Sequence, residues 1–252
     1  MRKLEHKIAL VTGASRGIGK AIAIQLATEG AFVIIHYASN EKAANKTLSD
    51  INALGGKGIT IKSDFSSVNE ITLLFKELDQ ILNNKKIDFL INNAGILNKY
   101  DLEHITEEQF DSQFAINVKS PFFITQQALP RINDGGRIVN ISSYLSKRPK
   151  YEYGAYAMTK AAIDNFTISL AIALGPRKIT VNAIAPGSID TDMNKDRFKD
   201  IKVKEAVGKM AALQRVGTPS DIANTVIFLC SQAGEWITGQ YIEASGGLGL
   251  IK

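Results

Sequence analysis

The sequence has one cysteine, Cys230, among its 252 residues, so no internal disulfide can form. An unpaired thiol suits a reducing compartment, and the cytoplasm is the expected location. Only three histidines occur, His6, His36 and His104. They are too dispersed to form a metal constellation, so no metal is expected and solvated or packing roles are assigned to them. No apolar run reaches the roughly 20 residues that cross a bilayer. Residues 1–7 are charged and lead straight into a strand pattern without a leader-type apolar segment. A membrane partner is therefore not expected. Charge of one sign is also scarce, since 30 Lys+Arg against 25 Asp+Glu leave only +5. The basic residues are interleaved with acids, whereas a nucleic-acid binder gathers them in a patch or stripe. No nucleic-acid partner is expected, and a phosphorylated small molecule suits the mild excess. Repeats, low-complexity tracts and linkers are missing too.

What the chain does have is apolar bulk and a regular alternation. Hydrophobic residues make up 45%, enough at this length for a sizeable core in one domain spanning 1–252. β-Branched runs predict strands at 7–12, 31–37, 58–61, 87–92, 136–143, 179–185 and 240–243. Helices are expected at 17–29, 41–54, 68–82, 107–129, 154–174 and 219–230. Such alternation implies βαβ crossovers and the α/β class, with a doubly wound, mostly parallel seven-stranded sheet covered by helices on both faces. The unbroken apolar runs Ile8-Ala9-Leu10-Val11 and Phe32-Val33-Ile34-Ile35 fit strands buried on both sides. The charged, irregular segment 189–204 reads either as a lid or as a solvated loop with a short helix.

The first strand runs into Thr12-Gly13-Ala14-Ser15-Arg16-Gly17-Ile18-Gly19, and a helix follows. Glycine lets the backbone turn sharply and approach a ligand, while helix N–H groups and the positive dipole end face an anion. Neither the Walker loop nor Gly-x-Gly-x-x-Gly has this spacing. A glycine turn between the first strand and first helix of a doubly wound sheet still suits a dinucleotide pyrophosphate. Close strand-to-helix packing is the other use of the same glycines.

Tyr156 and Lys160 lie four residues apart in the 154–174 helix, a spacing that puts both side chains on one face. An ammonium ~4 Å from a phenolate, at an effective dielectric near 20, attracts it by about 4 kcal/mol, roughly 3 pKa units. Lys160 is thus expected to draw the Tyr156 phenol toward working pH, where acid–base catalysis is most effective. Alone, the pair equally fits chance neighbours in solvent.

The companions of this pair decide the matter. Thr12-Gly-x-x-x-Gly-x-Gly19, Asp64 after the third strand, Asn92-Asn93-Ala94-Gly95 after the fourth, Asn117 in the next helix, Ser143 after the fifth strand, Tyr156-x-x-x-Lys160 and Pro186-Gly187 occur in that order. This set resembles the short-chain dehydrogenase/reductase family over essentially the whole chain. The resemblance implies a Rossmann-type fold and an oxidoreductase that moves hydride between a nicotinamide and a carbonyl or secondary alcohol. It makes Tyr156 the acid or base, and gives Ser143 the task of orienting the carbonyl. It gives Lys160 the tasks of lowering the Tyr156 pKa and holding the nicotinamide ribose. It makes Asn117 the anchor of a water-linked proton relay. Cofactor contacts are implied for Gly13, Ser15, Arg16, Gly17, Ile18 and Gly19, for Asp64 at the adenine, and for Asn92, Ala94 and Gly95 on the adenosine side. Pro186, Gly187, Ile189 and Thr191 are implied near the carboxamide. A homotetramer packed through the helices after the fourth and fifth strands is implied as well.

NADP(H) is favoured over NAD(H). NAD sites usually carry a carboxylate at the end of the second strand, where this chain has Tyr37. Arg16, with Ser39 and Asn40, suits a 2′-phosphate, and the nearby Glu41 has an adequate role at a helix N-terminus. Tyr144, Leu145, Tyr151, Tyr153, Met193 and Phe198 suggest a partly apolar, aromatic mouth for a small carbonyl or alcohol substrate. A 3-oxoacyl-(acyl-carrier-protein) reductase is one specific possibility, with Arg177 as a candidate carrier contact beside Asp134. A non-catalytic NADP-sensing or scaffold protein of the same fold is the other alternative.

Overall fold

The computed structural model describes residues 3–83 and 85–250. Its strands are β1 (Ile8–Val11), β2 (Phe32–Tyr37), β3 (Lys57–Lys62), β4 (Ile87–Asn92), β5 (Ile132–Ile141), β6 (Thr180–Pro186) and β7 (Tyr241–Ala244). They form one sheet in the order β3-β2-β1-β4-β5-β6-β7, and every neighbouring pair is parallel. Parallel neighbours require crossovers, supplied by α1 (Gly17–Thr28), α2 (Glu41–Ala53), α3 (Val68–Leu82), α4 (Glu107–Phe114), α5 (Ser120–Ala128), α6 (Gly154–Leu174), α7 (Ile201–Lys209) and α8 (Pro219–Cys230).

The apolar runs are continuous because successive strand residues enter different cores. In β1, Ala9 and Val11 join the core beneath α1 and α8, while Leu10 joins the one shared with α3 and α5. In β2, Val33 and Ile35 face the first core and Ile34 the second. Each buried Val, Leu or Ile among them contributes about 1.5–3 kcal/mol relative to exposure. Helix starts are chemically marked. Asn40 Oδ1 accepts the Ala43 N–H ahead of α2 at 3.0 Å, and Thr218 with Asp221 forms a capping box around Pro219 at the start of α8.

Several expectations change. The expected helix over 107–129 is divided into α4 and α5 by a π-helical turn, Ala115–Lys119. Pro121 has no N–H to return to the carbonyl four residues back, that of Asn117, so regular α-geometry fails there. β5 begins at Ile132, earlier than expected, with an irregular register against β4 between Ile87 and Phe89. The segment after β6 contains a short 3-10 turn, Asp192–Asn194, and the start of α7, which periodicity did not reveal. The stretch Tyr151–Arg177, with mean hydropathy 1.2 over its most apolar window, is long and apolar enough to cross a membrane, contrary to the sequence expectation. Here it packs against β6 and carries Tyr156 and Lys160 on its buried side.

Strand order reverses between β1 and β4, and the loops after their carboxyl ends part on either side of that switch point. A crevice forms at this place in doubly wound sheets.

Candidate active site

A cleft of about 780 Å³ follows the carboxyl edge of the sheet. One end is built on the glycine turn. Gly13 has φ +63°, and a Cβ there would stand 2.9 Å from the Ala94 Cα. Gly19 is tighter still, since a methyl would overlap the Gly13 carbonyl oxygen and the Asn93 Nδ2. These glycines create a concave backbone surface at the N-terminus of α1, of the shape and polarity a phosphate group needs. Thr12 and Asn93 brace it. Thr12 Oγ1 accepts the N–H groups of Asn93 and Ala94, each at 2.9 Å, while Asn93 Nδ2 donates to the carbonyls of Thr12 and Gly13 at 2.8 and 3.1 Å. Gly19→Ala is expected to cost about 1–3 kcal/mol by overpacking. In a chain of this size that lowers Tm by several degrees, and a thermal melt coinciding with wild type would show that the turn can yield.

Of the solvated and packing roles open to it, His36 takes the packing one, being buried. Its Nδ1 accepts the Gly13 N–H at 3.1 Å, and its Nε2 lies 3.0 Å from the Ser63 carbonyl, so the proton resides on Nε2. The ring stacks on Phe65 with centroids 3.8 Å apart. Burial pushes its pKa down to about 4, and the bond to Ser63 opposes the shift.

Ser15, Arg16, Gly17 and Ile18 line the same end of the cleft, as do Tyr37, Ser39, Asn40 and Asp64. Arg16 has no salt-bridge partner among the described residues. Asp64 also closes a local turn by accepting the Ser66 N–H at 3.0 Å. Ala94 and Gly95 line the middle, and Pro186, Gly187, Ile189 and Thr191 the opposite wall. Asn92 is a correction. It is buried away from the cleft, with its Nδ2 donating to Thr125 Oγ1 and Asn140 Oδ1 at 3.1 and 2.8 Å. β4 continues through Asn92, so alternation turns that side chain into the core and leaves Asn93 at the cleft.

At the other end, Ser143, Tyr156 and Lys160 all line the cleft and are all buried. Ser143 follows β5, and its Oγ accepts the Leu145 N–H at 3.2 Å. Tyr156 stands in the first turn of α6, and Lys160 one turn later donates from Nζ to the Ile141 carbonyl at 2.8 Å. Burial pushes the Tyr156 phenol up to about 12, with Ser143 hydrogen bonding as the opposing influence. The expected lowering by Lys160 is thus overturned. The ammonium is engaged by a backbone carbonyl, and desolvation of a phenolate outweighs its attraction. Lys160 itself is pushed down to about 8 by burial.

Asn117 does not line the cleft. Its Oδ1 accepts the Ile96 N–H at 2.9 Å, while its Nδ2 donates to the Ile96 carbonyl at 2.9 Å and to Thr159 Oγ1 at 3.1 Å. It therefore ties the loop after β4 to the helix bearing Tyr156. Gly95 fits between the two, with a Cβ there 3.2 Å from Asn117 Oδ1 and 3.6 Å from Lys160 Nζ. Of the aromatic mouth, Tyr144, Leu145, Tyr153 and Met193 line the cleft. Tyr151 donates its hydroxyl to Glu103 outside it, and Phe198 is buried elsewhere. Arg177 is consumed internally, by Asp134 at 2.8 Å and by the carbonyls of Leu129 and Ile132. Sequence reasoning also missed Asp164, although its place four residues after Lys160 was a visible signal.

Residues 13–249 match the family described as Enoyl-(Acyl carrier protein) reductase. A probable tetrahydroxynaphthalene reductase of Zymoseptoria tritici is 38% identical, covering 97% of this chain and 95% of its own. Versicolorin reductase stcU of Emericella nidulans is 39% identical, covering 97% and 96%. The crystal structure of the angucycline C-6 ketoreductase LanV with bound NADP superposes with a TM-score of 0.93 at 40% identity, covering 98% of this chain and 97% of that one. With the ordered motifs and the parallel sheet, these likenesses show that the chain belongs to the short-chain dehydrogenase/reductase family of NAD(P)-dependent oxidoreductases.

Proposed function

We propose that this chain is an NADP(H)-dependent carbonyl reductase, a single catalytic domain in which Tyr156 delivers the proton to the carbonyl oxygen. The observation that carries this reading is the buried corner where Ser143, Tyr156 and Lys160 meet one cleft wall. The glycine cradle, which a Cβ at Gly13 or Gly19 would fill, fits the pyrophosphate of a dinucleotide. Arg16, Ser39 and Asn40 would hold a 2′-phosphate, with no acidic side chain at the end of β2 to repel it. Asp64 would hold the adenine, and the Pro186 to Thr191 wall the carboxamide. When bound, the reduced nicotinamide supplies the hydride. The protein's share is acid catalysis and orientation. The phenol is protonated at neutral pH, as a proton donor must be, and burial keeps its O–H out of competition with water. Ser143 Oγ orients the carbonyl oxygen and stabilises its developing charge. Lys160 supplies a cation behind the phenol and binds the ribose. Asn117 holds the loop after β4 and α6 in register, with the π-turn as the candidate anchor for a proton relay.

The substrate proposed is a ring-bearing ketone of the hydroxynaphthalene type. Two relatives are named as hydroxynaphthalene and angucycline ketone reductases, and Tyr144, Leu145, Tyr153 and Met193 line this end of the cleft. A carrier-borne ketoacyl thioester is less well supported, because Arg177 is already engaged by Asp134 and by the carbonyls of Leu129 and Ile132. A homotetramer is also proposed, supported by apolar side chains exposed on α5 and α6, Phe122, Met158, Ile168 and Ile172. A cytoplasmic location is supported by the buried, unpaired Cys230. An NADPH-consumption screen over fused-ring ketones, ketoacyl thioesters, sugars and quinones tests the function. Turnover is expected with the fused-ring ketones and with NADPH over NADH. Tight NADPH binding without turnover of any member would favour the sensing alternative.

A further inference from the structure

Tyr156, Lys160 and Asp164 follow each other at four-residue spacing along α6, so they share one face of the helix. The first two line the cleft, and the third stands behind them. Asp164 accepts Ser142 Oγ at 2.5 Å and Ser146 Oγ at 2.6 Å. These serines flank Ser143 in the segment that leaves β5. One carboxylate thus ties both sides of the Ser143 turn to the helix that carries Tyr156 and Lys160. Burial raises the Asp164 carboxyl above its ordinary value, and the two hydroxyl donors, one on each oxygen, oppose that shift by favouring the carboxylate.

The surroundings of Lys160 give this clamp a second consequence. Its ammonium is buried, has no acidic group within salt-bridge distance among the described residues, and donates to the Ile141 carbonyl. Burial disfavours its charge, and Asp164 is the acidic group that counters burial. The groups facing Asp164 are few. Lys160 comes from its own helix, Lys147 from the loop after β5, and Tyr241 from β7. Lys147 is drawn over the Tyr241 ring, 3.8 Å from its centroid.

We propose that Asp164 is a positioning residue of this site, which fixes Ser143 from both flanks and sustains the positive charge of Lys160. The proposal rests on the reductase reading above, in which Lys160 binds the cofactor ribose. The test is NADPH binding followed by ligand fluorescence from pH 6 to 9, with wild type, Asp164→Asn and Asp164→Ser. Asp164→Asn keeps the size and an acceptor oxygen while removing the charge. Wild-type affinity is expected to fall as pH rises through the Lys160 titration, and in Asp164→Asn that fall should come at lower pH. At pH 8 the variant should bind about tenfold more weakly than wild type, the loss of one charge-assisted hydrogen bond, and at pH 6 within about twofold. A merely structural role would weaken binding equally at both pH values or lower Tm alone. Superposed pH profiles for wild type and Asp164→Asn would overturn the proposal while leaving the reductase reading intact. Should Asp164→Asn not fold, Asp164→Ser decides, since it removes the same charge in a smaller side chain and should move the profile the same way, and an unmoved profile would again overturn the proposal. Failure of wild type to bind NADPH would remove the reading of the site and this proposal with it.

Discussion

Tyr156→Phe should lower kcat by about 10²–10⁴, the usual worth of a positioned general acid, while leaving the NADPH dissociation constant within about twofold. The phenyl ring fills the same volume, so the contacts of Tyr156 with Leu145, Ala157 and Tyr153 survive and the fold is kept. Only the O–H is lost, and with it the proton for the carbonyl oxygen. The pKa near 12 sharpens the expectation. A phenol this weakly acidic remains protonated throughout the neutral range, so the pH profile of kcat/KM should show no loss of the Tyr156 proton below pH 9. Burst and steady-state rates of NADPH oxidation, read with fluorescence binding, separate the two effects. Turnover near that of wild type would remove Tyr156 from the role of acid.

Acidification should destabilise the protein through His36 by about 2 kcal/mol at pH 5 and about 3 kcal/mol near pH 4. The sign follows from where the proton binds. His36 has a native pKa of about 4 against an ordinary 6.5, so between those values the unfolded chain takes up a proton that the native chain refuses. Stability is therefore full above 6.5 and declines as pH falls toward 4. Protonation would also turn the Nδ1 acceptor into a donor facing the Gly13 N–H, at the turn that cradles the phosphates. Urea unfolding at pH 7 and pH 5 measures the effect. Carboxylates held low by arginine, such as Asp79 and Asp221, add their own acid sensitivity, so the informative quantity is the difference from His36→Asn. That variant should be less stable at pH 7, having lost the stack on Phe65 and the Ser63 bond. Its further loss between pH 7 and pH 5 should be about 2 kcal/mol smaller than that of wild type. Equal losses in the two proteins would mean that His36 is not the acid-sensitive group.

These two residues divide what the sequence shows from what it hides. The seven parallel strands, their crossover helices apart from α7, and the glycine turn were legible because each rests on a local pattern: β-branched runs, helical periodicity, and glycines at a strand-to-helix junction. The π-turn was not legible, since Pro121 reads as a tolerable early helix residue until the carbonyl it fails to serve is identified as that of Asn117. Tyr156 and Lys160 were found as a spacing, and the order of their companions carried the family. Which asparagine meets the cleft was not found. Asn92 and Asn93 are adjacent in sequence, and although β4 ends where expected, only the distant Thr125 and Asn140 that engage Asn92 decide which of them faces the core. Whether His36 was solvated or packed stayed open in the sequence, because nothing local announces that it stacks on Phe65 and holds Gly13, partners 29 and 23 residues away. Nor could helix spacing fix the direction of the Tyr156 pKa. Sequence placed a cation on its face of the helix, but burial of the phenol and the Ile141 carbonyl that engages Lys160 depend on strands assembled around it. The sequence by itself determined the fold and the family and nominated the candidate reacting side chains, because these depend on periodicity and order along the chain. The tertiary structure alone decided which side chains face the cleft, which brace it and how readily each holds its proton, because desolvation and hydrogen bonding are set by distant segments brought into contact.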